Sequence, residues 1–107
     1  MSSVEIDESI KAAIAIKTAR AAAGLNQVDF AQMLGIAKTT LARIETLETQ
    51  VKLDIYFKAV RVLSDHGVEI DSISSDDIVV KVSKKAQQAI VNNLADEAKR
   101  RSDRKKS

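Results

Sequence analysis

The side chains best placed to do chemistry in this chain are cationic and hydroxyl-bearing, and several fall within one short segment. Lys38, Thr39, Arg43 and Thr46 recur at spacings that share one side of a helix, with Ala37 and Ala42 as small neighbours. On a wheel starting at Lys38, Ala42, Thr46, Thr39 and Arg43 fall at roughly 40°, 80°, 100° and 140°, while Leu41 and Ile44 fall near 300° and 240°. One side is therefore apolar and docks on something. The other can donate to guanine edges and set a methyl or hydroxyl against thymine or phosphate, as a major groove requires. A solvated helix face would have the same composition, so the segment must be read with its surroundings.

Other reactive groups are sparse. Cysteine is absent and histidine occurs once, at His66, which excludes a disulfide framework, a cysteine nucleophile and the usual zinc sites. His66 precedes Gly67 and reads as the last residue of a helix, where a partial positive charge suits the helix dipole. Asp71, Asp76 and Asp77 bring carboxylates together, but aspartate is a turn former and no nucleophile or further ligand accompanies them. No active site, metal or cofactor is expected.

The elements that position these residues are marked by the three glycines of a proline-free chain. Gly24, Gly35 and Gly67 close helical stretches at 8–23, 27–34 and 52–66. Between the last two lies the helix Lys38–Thr46. A short helix, a glycine turn and a second short helix, with Phe30, Leu34, Ile36, Leu41 and Ile44 apolar and Ala31 small at the crossing, form a helix-turn-helix pattern. The 52–66 helix carries Leu53, Ile55, Tyr56, Phe57, Ala59, Val60, Val62 and Leu63, a stripe wide enough to predict a largely buried helix, in the centre of the domain or against a partner. The period then shortens to two, predicting a β-hairpin with strands near 68–73 and 78–83. A lone hairpin is marginal, so a cover is expected from the final helix or from the same strand of a second subunit. Ser83 can cap that final helix, Lys84 to about Arg101, which sets Ile90, Val91, Leu94 and Ala98 on one side.

The chain has 107 residues, 45% hydrophobic and 30% charged, the composition of one soluble globular domain. Its net charge of +2 is unevenly spread. Residues 84–107 hold eight basic and three acidic side chains, whereas 48–83 hold four and seven. The basic cluster Lys99, Arg100, Arg101, Arg104, Lys105 and Lys106 can bind phosphate, although such runs are more often solvated. The longest apolar run, Ala12–Ile16, is far too short to cross a bilayer, and Glu5, Asp7 and Glu8 occupy the place where a secretory signal needs positive charge. A cytoplasmic protein with no membrane contact is expected.

From about Glu8 to Gly67 the sequence resembles the helix-turn-helix domain of the Cro/phage-repressor family, also called the xenobiotic-response-element family. The resemblance is carried by the run GLNQVDFAQMLGIAKTTLARIE, Gly24 to Glu45. It implies a mainly α, lambda-repressor-like bundle of about five helices, here followed by a β-hairpin and a final helix. It also implies binding to double-stranded operator DNA, an inverted repeat, as a homodimer. By that resemblance Ala37, Lys38, Thr39, Ala42 and Arg43 take the base-reading positions, Gln27 the phosphate-binding glutamine, and Arg20 with Glu45 the pair tying the first helix to the third. Lys17, Arg20, Gln50 and Lys52 are further phosphate candidates. After Glu45 the chain departs from the family, since Thr46–Val51 contains neither the glycine nor the proline that members often have. The expected organisation is a DNA-binding domain over 1–67, a hairpin-plus-helix dimerisation element over 68–101 and a flexible basic tail over 102–107. Competing expectations are an antitoxin-like module whose C-terminal half binds a protein partner, and a nonspecific nucleic-acid binder driven by the tail.

Overall fold

The computed structural model describes residues 6–72 and 76–105. Five helices and one hairpin follow in the order α1 (Glu8–Ala22), α2 (Gln27–Leu34), α3 (Lys38–Glu45), α4 (Leu53–Asp65), β1 (Val68–Ser72), β2 (Val79–Val82) and α5 (Lys84–Lys105). The fold is mainly α, with four helices before the antiparallel hairpin and one after it. Residues 73–75 and 106–107, which include Lys106, lie outside the described residues.

Local chemistry explains the boundaries. Asp7 caps α1 by accepting from the Ile10 N–H at 2.9 Å, and Asn26 caps α2 by accepting from the Asp29 N–H at 2.7 Å. At the end of α2, Gly35 takes φ 72°, which lets the Ile36 N–H reach back to the Ala31 carbonyl at 3.0 Å and turns the chain sharply into α3. Thr46–Val51 makes an equivalent reversal without a glycine. There Leu47 adopts φ 64°, and the Glu48 N–H donates to the Arg43 carbonyl at 2.8 Å. His66 ends α4, its Nδ1 donating to the Val62 carbonyl at 2.9 Å, which fixes that nitrogen as the protonated one.

One core serves helices and hairpin together. Phe30, Ile16, Leu41, Leu63 and Val68 are its largest fully buried side chains. α1 contributes Ala12, Ala13, Ala15 and Ala19, small residues that let α3, α4 and both strands approach its axis closely. The strands pair Val68 with Val82 and Ile70 with Val80, and a bulge follows Ile70. Gly67 at φ 80° lets the end of α4 sit directly against Ser83 and Ala86 at the start of α5.

The structure refines three expectations. The hairpin is covered mainly by α1 and α4 of its own chain, and Ala86 of α5 joins the same core. The flat alanine face of α1 makes that possible. Within its own chain α4 buries Ala59 and Leu63 and half-buries Ile55, Tyr56 and Val62, while Leu53 and Phe57 are open to solvent, so of the two placements expected the centre of the domain is set aside. The apolar stripe is wider than one small domain can cover. Lastly, α5 continues to Lys105, so residues 102–105, expected as tail, extend the helix; no breaker stands between Arg101 and Lys105. Among the residues of α5 whose burial is described, Ala86 is buried, Ile90 is half-buried, and Val91 to Arg101 is exposed throughout. Ser83 does cap the helix, accepting from the Ala86 N–H at 3.2 Å, and Glu97 pairs with Arg101 at 3.7 Å.

Candidate nucleic-acid interface

Helix α3 is held by its apolar side and open on the other. Leu41 and Ile44 are buried, whereas Ala37, Lys38, Thr39 and Arg43 are exposed and Ala42 is half-buried. This is the division the wheel predicts. Ala37 occupies the N-cap position without a side-chain hydrogen bond, so the first-turn N–H groups of α3 have no protein side chain serving them there. Thr46 is exposed too, with its hydroxyl engaged locally. Its hydroxyl sits 2.9 Å from the Ala42 carbonyl and 2.6 Å from a Glu48 carboxylate oxygen.

The orientation of α3 is set by a buried polar cluster. Arg20, in the last turns of α1, donates from Nε to Glu45 Oε2 at 2.7 Å and from Nη2 to Glu45 Oε1 at 2.8 Å. Its Nη1 donates to the Leu25 carbonyl at 2.8 Å. The Gln27 amide donates to Glu45 Oε1 at 3.1 Å. The Glu45 side chain is 2% exposed and that of Arg20 is 15% exposed, which separates this pair from ordinary surface ion pairs. Planar, two-pronged pairing fixes angle as well as distance. One carboxylate thus ties the C-terminal end of α3 to α1 and to the first residue of α2, and Arg20 adds the α1–α2 turn.

That cluster changes the meaning of two expected phosphate ligands. The Arg20 guanidinium is turned inward to Glu45 and Leu25, which gives it a positioning role. Gln27 stands at the N-terminus of α2 as expected, but one of its amide hydrogens goes to Glu45. The link between Gln27 and Glu45 was not readable from spacing, because eighteen residues and a turn separate them. Lys17 on α1, Gln50 in the α3–α4 loop and Lys52 at the N-cap of α4 are all exposed. The carboxylates noted in the hairpin are accounted for differently. Asp71, at the bulge, pairs across the strands with Lys81 at 3.6 Å. Among the described residues no group of histidine or acidic side chains could hold a metal ion, and no helix is long and apolar enough to cross a membrane.

Residues 16–64 match the sequence profile of the helix-turn-helix family. The match begins inside α1, ends inside α4, and holds Arg20, Gln27, Glu45 and the whole of α2 and α3. This segment belongs to the helix-turn-helix family in its Cro/phage-repressor form. A domain of this kind supports a DNA-binding helix-turn-helix regulator, and the family is not typically enzymatic. No curated protein and no solved structure matches the chain.

Proposed function

We propose that the protein is a dimeric repressor that inserts α3 into the major groove at each half of an inverted-repeat operator. The observation that carries this reading is the exposed row Lys38, Thr39 and Arg43 on a helix whose tilt is locked by Arg20 and Glu45. Lys38 and Arg43 donate to base edges, Thr39 meets a thymine methyl or a phosphate, and Ala37 and Ala42 allow close approach. Lys17, Gln50 and Lys52 contact phosphates, and Gln27 adds its remaining amide atoms at the N-terminus of α2. A two-fold dimer would set its reading helices ~34–36 Å apart. Repression by occupancy is the simplest mode for a reader of this kind, in a control circuit of phage or mobile-element type, and its place of action is the cytoplasm.

The test is selection of bound sequences from a random duplex pool at physiological salt. An inverted repeat is expected, and Lys38→Ala and Arg43→Ala should each relax one position per half-site, at about 1–3 kcal/mol of discrimination. Recovery of no preferred sequence by folded protein would remove the reading. One observation favours the antitoxin-like alternative: Val91 and Leu94 of α5 are exposed on one side of a helix the domain hardly covers. A stoichiometric protein co-purifying through α5 would support it.

A further inference from the structure

Helix α5 leaves the core at Ala86 and runs beside the turn between α1 and α2. A methyl group placed on Gly24 would come within 3.3 Å of the Asn93 amide nitrogen and 3.7 Å of Ile90. Further along, Asn93, Glu97 and Arg100 share an open groove with Asn26 and Asp29, the cap and first turn of α2. Helix α5 therefore passes the end of α2 at which Gln27 stands, and it continues to Lys105.

The face that α5 turns to the domain changes character along its length. On a wheel starting at Ile90, the positions of Asn93, Leu94 and Glu97 fall within about 60° of it. Those of Arg100, Arg101, Arg104 and Lys105 fall within about 80°, so by register they continue the same stripe. Asp96, Lys99 and Asp103 fall more than about 110° away. The stripe is thus mixed where it lies against the domain and wholly cationic beyond it. Asp29, Asp96 and Glu97 line the groove and repel an anion there. Past them, residues 98–105 hold five basic side chains and one acidic. Lys99, Arg100 and Arg101 are exposed, and the Glu97 pairing of Arg101, at 3.7 Å and 72% exposed, is one that water or phosphate can replace.

We propose that this stripe, Arg100, Arg101, Arg104 and Lys105, grips the sugar–phosphate backbone of duplex DNA beside the stretch that α3 reads. The inference rests on the operator reading above and adds a contact outside the helix-turn-helix segment. Charge selects a polyanion. Placement selects the duplex already at the reading head, because the cationic stretch begins at the end of α2 where that reading sets Gln27 against a phosphate. Length agrees: residues 98–105 span ~12 Å of helix, the rise of three to four base pairs at ~3.4 Å each, so two or three phosphates of one strand come within reach. A backbone contact adds affinity without base preference.

The experiment uses the full-length chain, the fourfold variant Arg100→Gln/Arg101→Gln/Arg104→Gln/Lys105→Gln, and Lys99→Gln on the opposite face, with circular dichroism to confirm helix content. Each is titrated on the selected operator duplex from about 50 to 200 mM salt. The fourfold variant should lose at least tenfold in affinity at the low end, with a salt slope shallower by ~2–3 per bound chain and unchanged base preferences. Lys99→Gln should keep the native slope. Backbone ethylation should reveal two or three phosphates that the native chain needs and the fourfold variant does not. Should selection return no preferred sequence, the operator reading falls, and the same slope difference on an arbitrary duplex would still uphold the phosphate stripe. Equal slopes for native and fourfold variant on every duplex overturn the proposal. So does an unchanged ethylation pattern, or an equal loss per charge in Lys99→Gln, which would make the effect one of net charge and not of this face.

Discussion

Replacing Arg20 by methionine keeps the stem of the side chain and removes the charge that Glu45 faces. Glu45 then retains one described side-chain donor, the Gln27 amide at 3.1 Å, in a site where its own side chain is 2% exposed. Breaking one half of a buried ion pair costs about 3–5 kcal/mol, because the remaining charge has lost its water and its partner. Arg20 itself is 15% exposed, so water can enter part of the space it leaves, and the lower end, about 3 kcal/mol, is expected. For a domain of this size that is a fall of roughly 12–20 °C in melting temperature.

The companion substitution is Glu45→Leu, and the double variant Arg20→Met/Glu45→Leu removes both charges together. It should return to within about 1 kcal/mol of the native chain, since an apolar pair of similar volume replaces a buried ionic one at little loss. The cycle of four proteins, measured by urea unfolding with matched slopes, should then give a coupling of about 2–3 kcal/mol. A loss under about 1 kcal/mol for Arg20→Met, with a coupling near zero, is the value of an exposed pair. That result would refute the argument that this cluster fixes the tilt of α3. The same variants carry a functional readout: with the clamp gone and Lys38 and Arg43 intact, affinity should fall at every half-site position together.

Leu47→Gly should raise stability by about 1 kcal/mol, because it relieves the left-handed leucine at φ 64°. Thermal melts check this; a fall in melting temperature would mean the leucine packs better than its exposure shows. Gly67→Ala should cost about 2–3 kcal/mol, since the new methyl meets the Ser83 hydroxyl and lies 3.3 Å from the Ala86 methyl at φ +80°. A near-neutral effect on the urea midpoint would show that the α4–α5 junction gives way. Burial pushes the Tyr56 hydroxyl above its ordinary 10.0, so the folded state favours the protonated phenol. That contribution is complete below the unfolded value and lost as pH rises through the higher folded one. Urea midpoints followed to about pH 11 should fall for the native chain and stay flatter in Tyr56→Phe; equal alkaline loss in both would assign it to other groups.

Much of this architecture is legible from residue order because its signals are local. Glycines past three helix ends, Asp7 and Ser83 at caps, and the switch of period after Gly67 each act over a few residues, and the helices and strands begin and end close to where those signals stand. The two-sided character of α3 is likewise a property of its own eight residues. What escaped is everything decided between distant segments. Which surface covers the hairpin depends on how flat the alanine face of α1 is once packed. The exposure of Leu53 and Phe57 depends on where the core runs out of partners, and the pull of Glu45 on Gln27 on how two helices cross. Leu47 is a different case. A family glycine is missing there, yet the backbone keeps the glycine-like turn, so the departure in sequence changes the strain rather than the path.

Helix α5 gives the protein two tiers of order. Its first turn is fastened by the Ser83 cap, by the Ser83 N–H to the Gly67 carbonyl at 2.8 Å and by buried Ala86, all continuous with the core. Ile90 and Asn93 still reach Gly24 at the end of α1, and the turns beyond them, in a rod of roughly 33 Å, are exposed as far as Arg101. A helix supported only from one end unzips from the other, so amide exchange along it should follow a gradient, slow as the core near Ala86 and approaching that of a free peptide past Ala98. The domain can melt the far end and refold it without disturbing the reading head, which leaves those turns free to take their final shape from whatever they touch.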